Sequence, residues 1–348
     1  MTAREPRKLS AITPVCGERL RPLEISRRTL LGMMLANVLA RPSAASGQAA
    51  REAKIGLLTE RSLGPEYIGA FRLGLTELGL VEGRSFTIVQ RSADGDLERL
   101  PGLAAELVES GVAVVVTGVG SPAALAAKRA TATVPIVFVT GGDPVDFGIV
   151  ANRRKPGENI TGLGGGIVAI QERLAMLREI APRTKRVAFL WHLNNPIHEK
   201  LFKAVERESA RLSLELREFA VRAPTELDAT FPAMRSEGID ALFVPGDAMF
   251  SHERHVLVRQ TASFRLPAVY GDRLFPDDGG LMSFSVDLVE LCQRAASHVY
   301  RILRGARAGD LPVEEAVKFD VVINVAAANA LGLNIPAELR ERAELVVR

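Results

Sequence analysis

Short apolar runs rich in branched residues alternate with amphipathic stretches along most of this chain, and that alternation restricts the fold more than any other feature. "KIGLLT" at 54–59 reads as a strand. The segment 65–80 then places Tyr67, Ile68, Phe71, Leu75 and Leu78 close to helical spacing. A strand at 85–91, a helix at 96–111 with Gly111 as its stop signal, and a buried strand "VAVVV" at 112–116 follow. A helix at 121–130 and a buried strand "PIVFVT" at 135–140 complete the first series. Residues 141–166 are rich in Gly, Pro, Asn and Asp, and read as a connection. The alternation restarts with a helix at 169–182. It continues through strands at 186–191, 214–221, 241–245 and 267–271, separated by helices at 196–212, 224–238 and 251–264. "GGLMSFSV" at 279–286 reads as a strand leading back, followed by a helix at 287–305 and a last strand and helix within 317–333.

Near-continuous apolar strands joined by helices predict parallel sheets covered on both faces. A chain of 348 residues is too long for one small core. The expected fold is therefore α/β, with two doubly wound parallel-sheet lobes joined by a hinge. Residues 53–145 and 286–312 are assigned to the first lobe, and 165–283 and 320–348 to the second. The hinge crossings are placed at 146–164, 284–285 and 313–319.

The N-terminus follows a different pattern. Arg27 and Arg28 precede an apolar run at 30–40, and small residues fill 43–50. Basic, apolar and small-residue segments in that order are the layout of an export signal. The arginine pair, with Ser26 before it and Leu30-Leu31 after it, resembles a twin-arginine signal. Residues 1–47 are expected to be removed. They hold eight basic and three acidic residues, so a chain of net charge +3 is left at −2 without them. A basic surface for nucleic acid is not supported. No apolar run reaches the ~20 residues that span a bilayer. Cys16 leaves with the leader and Cys292 remains alone, which rules out a disulfide within the mature chain. No cysteine ends the apolar run to carry a lipid. A soluble, periplasmic, monomeric product without a lipid anchor is expected.

In open α/β sheets ligands bind outside the carboxyl ends of the strands, and two facing lobes place the site between them. "TGVGSPAALAAKRA" at 117–130 lies at such an end. Ser121 is placed to cap the helix, with Pro122 at its first position. Gly118 and Gly120 admit close approach to bare N–H groups, which together with the helix dipole form an anion site. Other strand ends carry Thr140-Gly141-Gly142-Asp143, His192-Leu193-Asn194-Asn195, Gly246-Asp247, and Tyr270 two residues before Asp272. These groups are amide, hydroxyl and carboxylate, with little cationic charge. The expected contact set is Gly120, Ser121, Gly142, Asp143, Asn195, Asp247 and Tyr270. The helix start would hold a ligand carboxylate, and Asp143 or Asp247 its ammonium. Each Asp could equally be a cap or turn former.

"GVGSPA" also fits the G-x-G-x-x-A pattern of dinucleotide binding, which keeps an exported NAD(P)-dependent oxidoreductase as the alternative. The pattern sits on the third strand rather than the first. His252 and His255 are one helical turn apart but lack a third ligand, so no metal site is expected. No Ser nucleophile elbow of the G-x-S-x-G type occurs, and Cys292 lies inside an amphipathic helix, as a core residue would; no cofactor is expected.

From about residue 54 to the end, the chain resembles ABC-transporter substrate-binding proteins of the tryptophan/tyrosine-binding type. The resemblance is carried by "FRLGLTELGLVEGRSFTI", "GSPAALAAKRATATVPIVFVTGGDPVDFGIV", "NITGL", "RLPAVYG", "GGLMSFSVD" and "KFDVVINVAAANALGLNIP". It implies a type I periplasmic-binding fold, no catalysis, a small-molecule solute such as an amino acid, and an ABC permease in the inner membrane as partner. It also implies that Ser121, Asp143, Asn195 and Asp247 face the cleft. Two segments depart from the family pattern. His192-Leu193-Asn194-Asn195-Pro196 replaces N-P-x-N-P, and Gly246-Asp247-Ala248-Met249 stands where relatives carry Pro-Asp-Pro.

The leader assignment predicts that the double variant Arg27→Lys, Arg28→Lys leaves the precursor in the cytoplasm. Cell fractionation checks this, and a normal periplasmic yield would refute the twin-arginine route.

Overall fold

The computed structural model describes residues 52–118, 120–165 and 168–347. The expected leader at 1–47, including Arg27, Arg28 and Cys16, lies outside them. The chain begins with β1 (Ala53–Thr59), α1 (Pro65–Glu77), β2 (Phe86–Ser92) and α2 (Leu100–Glu109). It continues with β3 (Val114–Gly118), α3 (Ser121–Ala130), β4 (Ile136–Thr140) and β5 (Ile160–Gly164). These strands and the two-residue β11 (Glu314–Glu315) form a six-stranded parallel sheet in the order β11-β5-β4-β3-β1-β2.

The second sheet is built from α4 (Val168–Ile180), β6 (Arg186–His192), α5 (His198–Arg211), β7 (Glu215–Val221), α6 (Leu227–Ser236) and β8 (Ala241–Val244). Then come α7 (Ala248–His252), α8 (Arg254–Ser263), β9 (Ala268–Tyr270), α9 (Leu274–Asp277) and β10 (Met282–Val286). The helix α10 (Leu288–Leu303) returns to the first sheet. β12 (Phe319–Asn324), α11 (Val325–Leu331), α12 (Ala337–Arg342) and β13 (Glu344–Val346) close the chain on the second. Its strand order is β13-β12-β10-β9-β8-β6-β7, and β12 runs antiparallel to β10. This is the expected α/β class with two parallel-sheet lobes.

Alternation along each strand explains why helices cover both faces. Val114 and Val116 point to the side packed by α1 and α10, with Phe71, Leu75, Leu291 and Val299. Val115 points to the other, toward Leu107, Ala123 and Ala127. In the second sheet Leu190 and Leu242 meet Phe231 and Leu257 of α6 and α8, whereas Phe189 and Phe243 lie on the α4 and α5 side with Leu174 and Leu201.

The expected crossings are not bare connections. β5 falls inside 146–164, β11 inside 313–319, and 284–285 belong to β10. β5 carries no strand signature in the sequence because Gly162 and Gly164 interrupt its apolar pattern. Gly162 leaves room for Phe138, since a Cβ there would lie 2.1 Å from the Phe138 carbonyl oxygen.

Glycines of α1 generate a paired prediction. A Cβ on Gly74 would fall 2.4 Å from the Gln293 carbonyl oxygen and 2.8 Å from Ala296 Cβ, both on α10. Gly69 is exposed, with nothing within 4 Å. Gly74→Ala should therefore destabilise by about 1–3 kcal/mol through overpacking, while Gly69→Ala should stabilise by up to about 1 kcal/mol. Urea denaturation of the two variants checks the opposite signs.

Candidate functional site

The carboxyl ends of both sets of strands open onto one cavity of about 550 Å³. The first sheet contributes Arg61, Gly120, Ser121, Thr140, Gly142 and Asp143 to its wall. The second contributes Gly246, Asp247, Gly271, Asp272 and Ser285, with Arg173 and Leu201 from its helices and Ile197 from the N-cap of α5.

The start of α3 is not open to a ligand anion. Gly120 is the extended N-cap residue and Ser121 already lies inside the helix, so no side chain of the segment caps it. The Ser121 hydroxyl instead pairs with the Thr140 hydroxyl at 2.7 Å. The orphan N–H of Ala123 donates to Glu60 Oε1 at 3.2 Å. Glu60 follows β1, the neighbour of β3 in the sheet, and packs so closely that a Cβ on Gly120 would lie 2.0 Å from Oε1. The chain thus supplies its own carboxyl at the place expected for the ligand's. The same carboxyl closes the "GVGSPA" turn to a pyrophosphate and removes the physical basis of the dinucleotide-binding alternative.

Asp247 is the hub of the opposite wall. It caps α7, with Oδ1 accepting from Met249 N–H at 2.8 Å and Phe250 N–H at 3.2 Å. Oδ2 accepts from the Asn195 amide at 2.7 Å and faces His192 Nδ1 at 2.9 Å. His198 Nδ1 accepts from the His192 backbone N–H at 2.9 Å, which fixes its proton on Nε2. That Nε2 lies 3.5 Å from Oδ2, an electrostatic contact without hydrogen-bond geometry. Burial alone would raise the Asp247 carboxyl. Its contacts with His192, His198 and Asn195 outweigh that and hold it at about 2. Burial lowers His198 to about 4.

Other expected contacts have structural roles. Asp143 Oδ1 caps a turn through Val145 N–H at 2.8 Å and Asp146 N–H at 3.2 Å, and Oδ2 is taken by Arg153. Gly142 makes room for the Phe147 ring. Gly120, Ser121, Gly142, Asp143 and Asp247 line the cavity; Asn195 and Tyr270 do not. Asn195 stands behind Asp247 as its hydrogen-bond donor. Tyr270 is fully buried, stacked on Phe275 at 4.2 Å, with its hydroxyl 3.1 Å from that of Thr261. It belongs to the core because β9 alternation turns it away from the cavity. Neither Asp143 nor Asp247 keeps an oxygen clear of protein partners for a ligand ammonium. Cys292 is buried in α10, and burial pushes its thiol up to about 12.

The cavity carries more cationic charge than expected. Arg61 reaches from the first sheet to Asp272 of the second at 3.2 Å, and Ser251 donates to the same oxygen at 2.9 Å. Arg173, Lys200 and Arg273 also line the wall. These cations lie outside the strand-end groups read from the sequence. Arg173 comes from a helix face, where no turn signal marks it.

Glu60 generates a pH prediction. Burial pushes its carboxyl up to about 8, against the lowering effect of the Ala123 N–H, with the nearby Asp247 charge adding to the rise. Below about pH 4.5 both the folded and unfolded chains hold this proton. Above it the unfolded chain releases the proton and the folded chain does not, so stability falls until about pH 8 and then levels off. Glu60→Gln keeps the acceptor for Ala123 and removes that slope. The variant should gain on the parent by about 1.4 kcal/mol for each pH unit of the window. Urea titrations at several pH values check this, and parallel stability profiles would contradict it.

Residues 62–347 match the family described as ABC transporter substrate binding protein. The chain is 22% identical over 263 residues to the tyrosine-binding protein of Clostridioides difficile strain R20291, covering 76% of this chain and 75% of that protein. A crystal structure of an ABC domain in complex with L-Trp from Streptococcus pneumonia superposes with a TM-score of 0.78 at 25% identity. That match covers 85% of this chain and all of the other. A conserved domain protein of Vibrio cholerae superposes with a TM-score of 0.77 at 24% identity, over 85% of this chain and 99% of that one. The fold is that of the type I periplasmic-binding proteins. With the match extending over nearly all of the described residues, the chain belongs to the ABC transporter substrate binding protein family.

Proposed function

We propose that this protein is the periplasmic receptor of an ABC uptake transporter. It captures an amino acid or a similar small carboxylate between its two lobes and delivers it to a permease in the inner membrane. It works as a soluble monomer after export, without a lipid anchor and without catalysis. The observation that carries this reading is the cavity of about 550 Å³ walled by strand ends of both sheets. Its apolar wall, which includes Tyr67, Phe147, Ile170, Ile197 and Leu201, suits a hydrocarbon or aromatic body. Polar groups fix the orientation of such a body. The tyrosine-binding and L-Trp-bound relatives support the solute class.

A solute that touches both walls favours the closed arrangement by its differential contacts, which is the physical origin of capture. The Arg61–Asp272 pair joins the same walls and acts in the same direction. Because exposed ion pairs contribute little and this one is partly exposed, the solute supplies most of the closing free energy.

The test is a thermal-shift screen of amino acids and small organic acids on residues 48–348, followed by calorimetry of the compounds that shift it. A ligand at 100 times its Kd should add about 2.7 kcal/mol of stability. The expected result is one narrow group of small carboxylates with saturable binding of one molecule per chain. Absence of any shift across the carboxylates, or tight binding of NAD(H) or NADP(H), would contradict the reading.

A further inference from the structure

Taking the proposed receptor function as its premise, the geometry points to Arg173 as the group that receives the anionic end of the solute. Arg173 projects from α4 into the cavity wall and is only 8% exposed. Its Nε donates to the Phe284 carbonyl oxygen at 2.7 Å, and the guanidinium lies over the Phe243 ring at 5.8 Å from the centroid. Those contacts fix the plane of the fork. Among the described residues, its two Nη nitrogens have no hydrogen-bond acceptor in the protein, and no carboxylate lies within 4.0 Å.

A buried cation without a counter-ion is costly, and a guanidinium stays charged where a lysine would discharge. Burial lowers Arg173 only to about 10, so it is a cation at neutral pH. The carboxylate whose charge favours it is Asp272. That group already accepts from Arg61, Ser251 and the Leu274 N–H. Of the other cations in the wall, Lys200 also lacks an ion pair among the described residues but is exposed, and the remaining groups are engaged. The helix start at Gly120 is filled by Glu60. Arg61 is engaged by Asp272, and Arg273 is shared between Asp277 and Glu344. Arg173 keeps a planar pair of donors unspent at the cavity wall, and two parallel N–H groups match the two oxygens of a carboxylate. The solute class is therefore a small acid whose carboxylate meets α4, with its apolar body toward Ile170, Ile197 and Leu201.

The experiment is calorimetry on residues 48–348 with L-tryptophan, L-tyrosine and L-leucine, each beside its carboxamide. The parent and the variants Arg173→Met and Arg173→Lys are compared. Loss of charged hydrogen bonds should weaken the acid that binds by roughly tenfold to a hundredfold in Arg173→Met. The matching amide should be weak against the parent. Arg173→Lys, which keeps the charge without the fork, should fall between. The ligand-free melting temperature of Arg173→Met should stay level or rise, because an unpaired buried charge is removed. A purely structural Arg173 would lower it and leave affinity unchanged, which overturns the inference. An amide that binds the parent as well as its acid also overturns it, while leaving the receptor reading intact. That comparison needs no variant, so it decides even if Arg173→Met fails to fold. If none of the three acids binds the parent, the amino-acid reading falls first and the inference falls with it.

Discussion

Asp247 is a buried carboxylate that stays ionised, and the cleft depends on the way that charge is satisfied. Two backbone N–H groups of α7, the Asn195 amide and two imidazoles converge on its oxygens. Removing one of these would leave a charge less fully compensated in a low-dielectric wall. The arrangement ties the ends of β6 and β8 to the starts of α5 and α7, which are the segments that shape the second wall. The first wall meets the same constraint differently. Glu60 has one backbone donor, and burial outweighs it, so the group holds its proton instead. Two buried acids, Glu60 behind the first wall and Asp247 in the second, thus take opposite protonation states.

The remaining charge in the cavity follows from these two choices. Asp143 is held by Arg153 and Asp272 by Arg61, the latter across the two sheets. Groups that might have been ligand contacts are thereby committed to building the walls. Phe147 and Ile170 provide apolar surface from opposite sides. Arg173, a cation without an ion pair among the described residues, is buried, which suits a site that gives up its water when a solute arrives.

Much of the fold could be read from residues. "VAVVV" and "PIVFV" are apolar at every position, as a parallel strand covered on both faces is, and they fall largely within β3 and β4. β5 escaped because Gly162 and Gly164 are there to clear space for Phe138 and Pro144, a tertiary demand with no local signature. At the site, strand-end residues were legible as a class but their roles were not. Ser121, Asp143 and Asp247 carry capping chemistry in their side chains, and capping chemistry looks the same whether the partner is backbone or ligand. Asp143 and Asp247 do cap; Ser121 does not, because the helix starts one residue earlier than its pattern suggests and Thr140 stands opposite. Glu60 was invisible because its relation to Gly120 depends on β1 and β3 being neighbours, and strand order is not encoded in periodicity. Tyr270 went the other way. It occupies a strand end, but the two-residue alternation turns it into the core.

The central claim is that a solute is held by both lobes at once in the cavity between the strand ends. A crystal structure of the mature protein with its bound solute tests this most directly. The expected result is one molecule in that cavity, touching first-sheet residues such as Ser121 or Gly142 and second-sheet residues such as Ala248 or Ser285. A solute bound elsewhere, or in contact with only one of the two sheets, would contradict it.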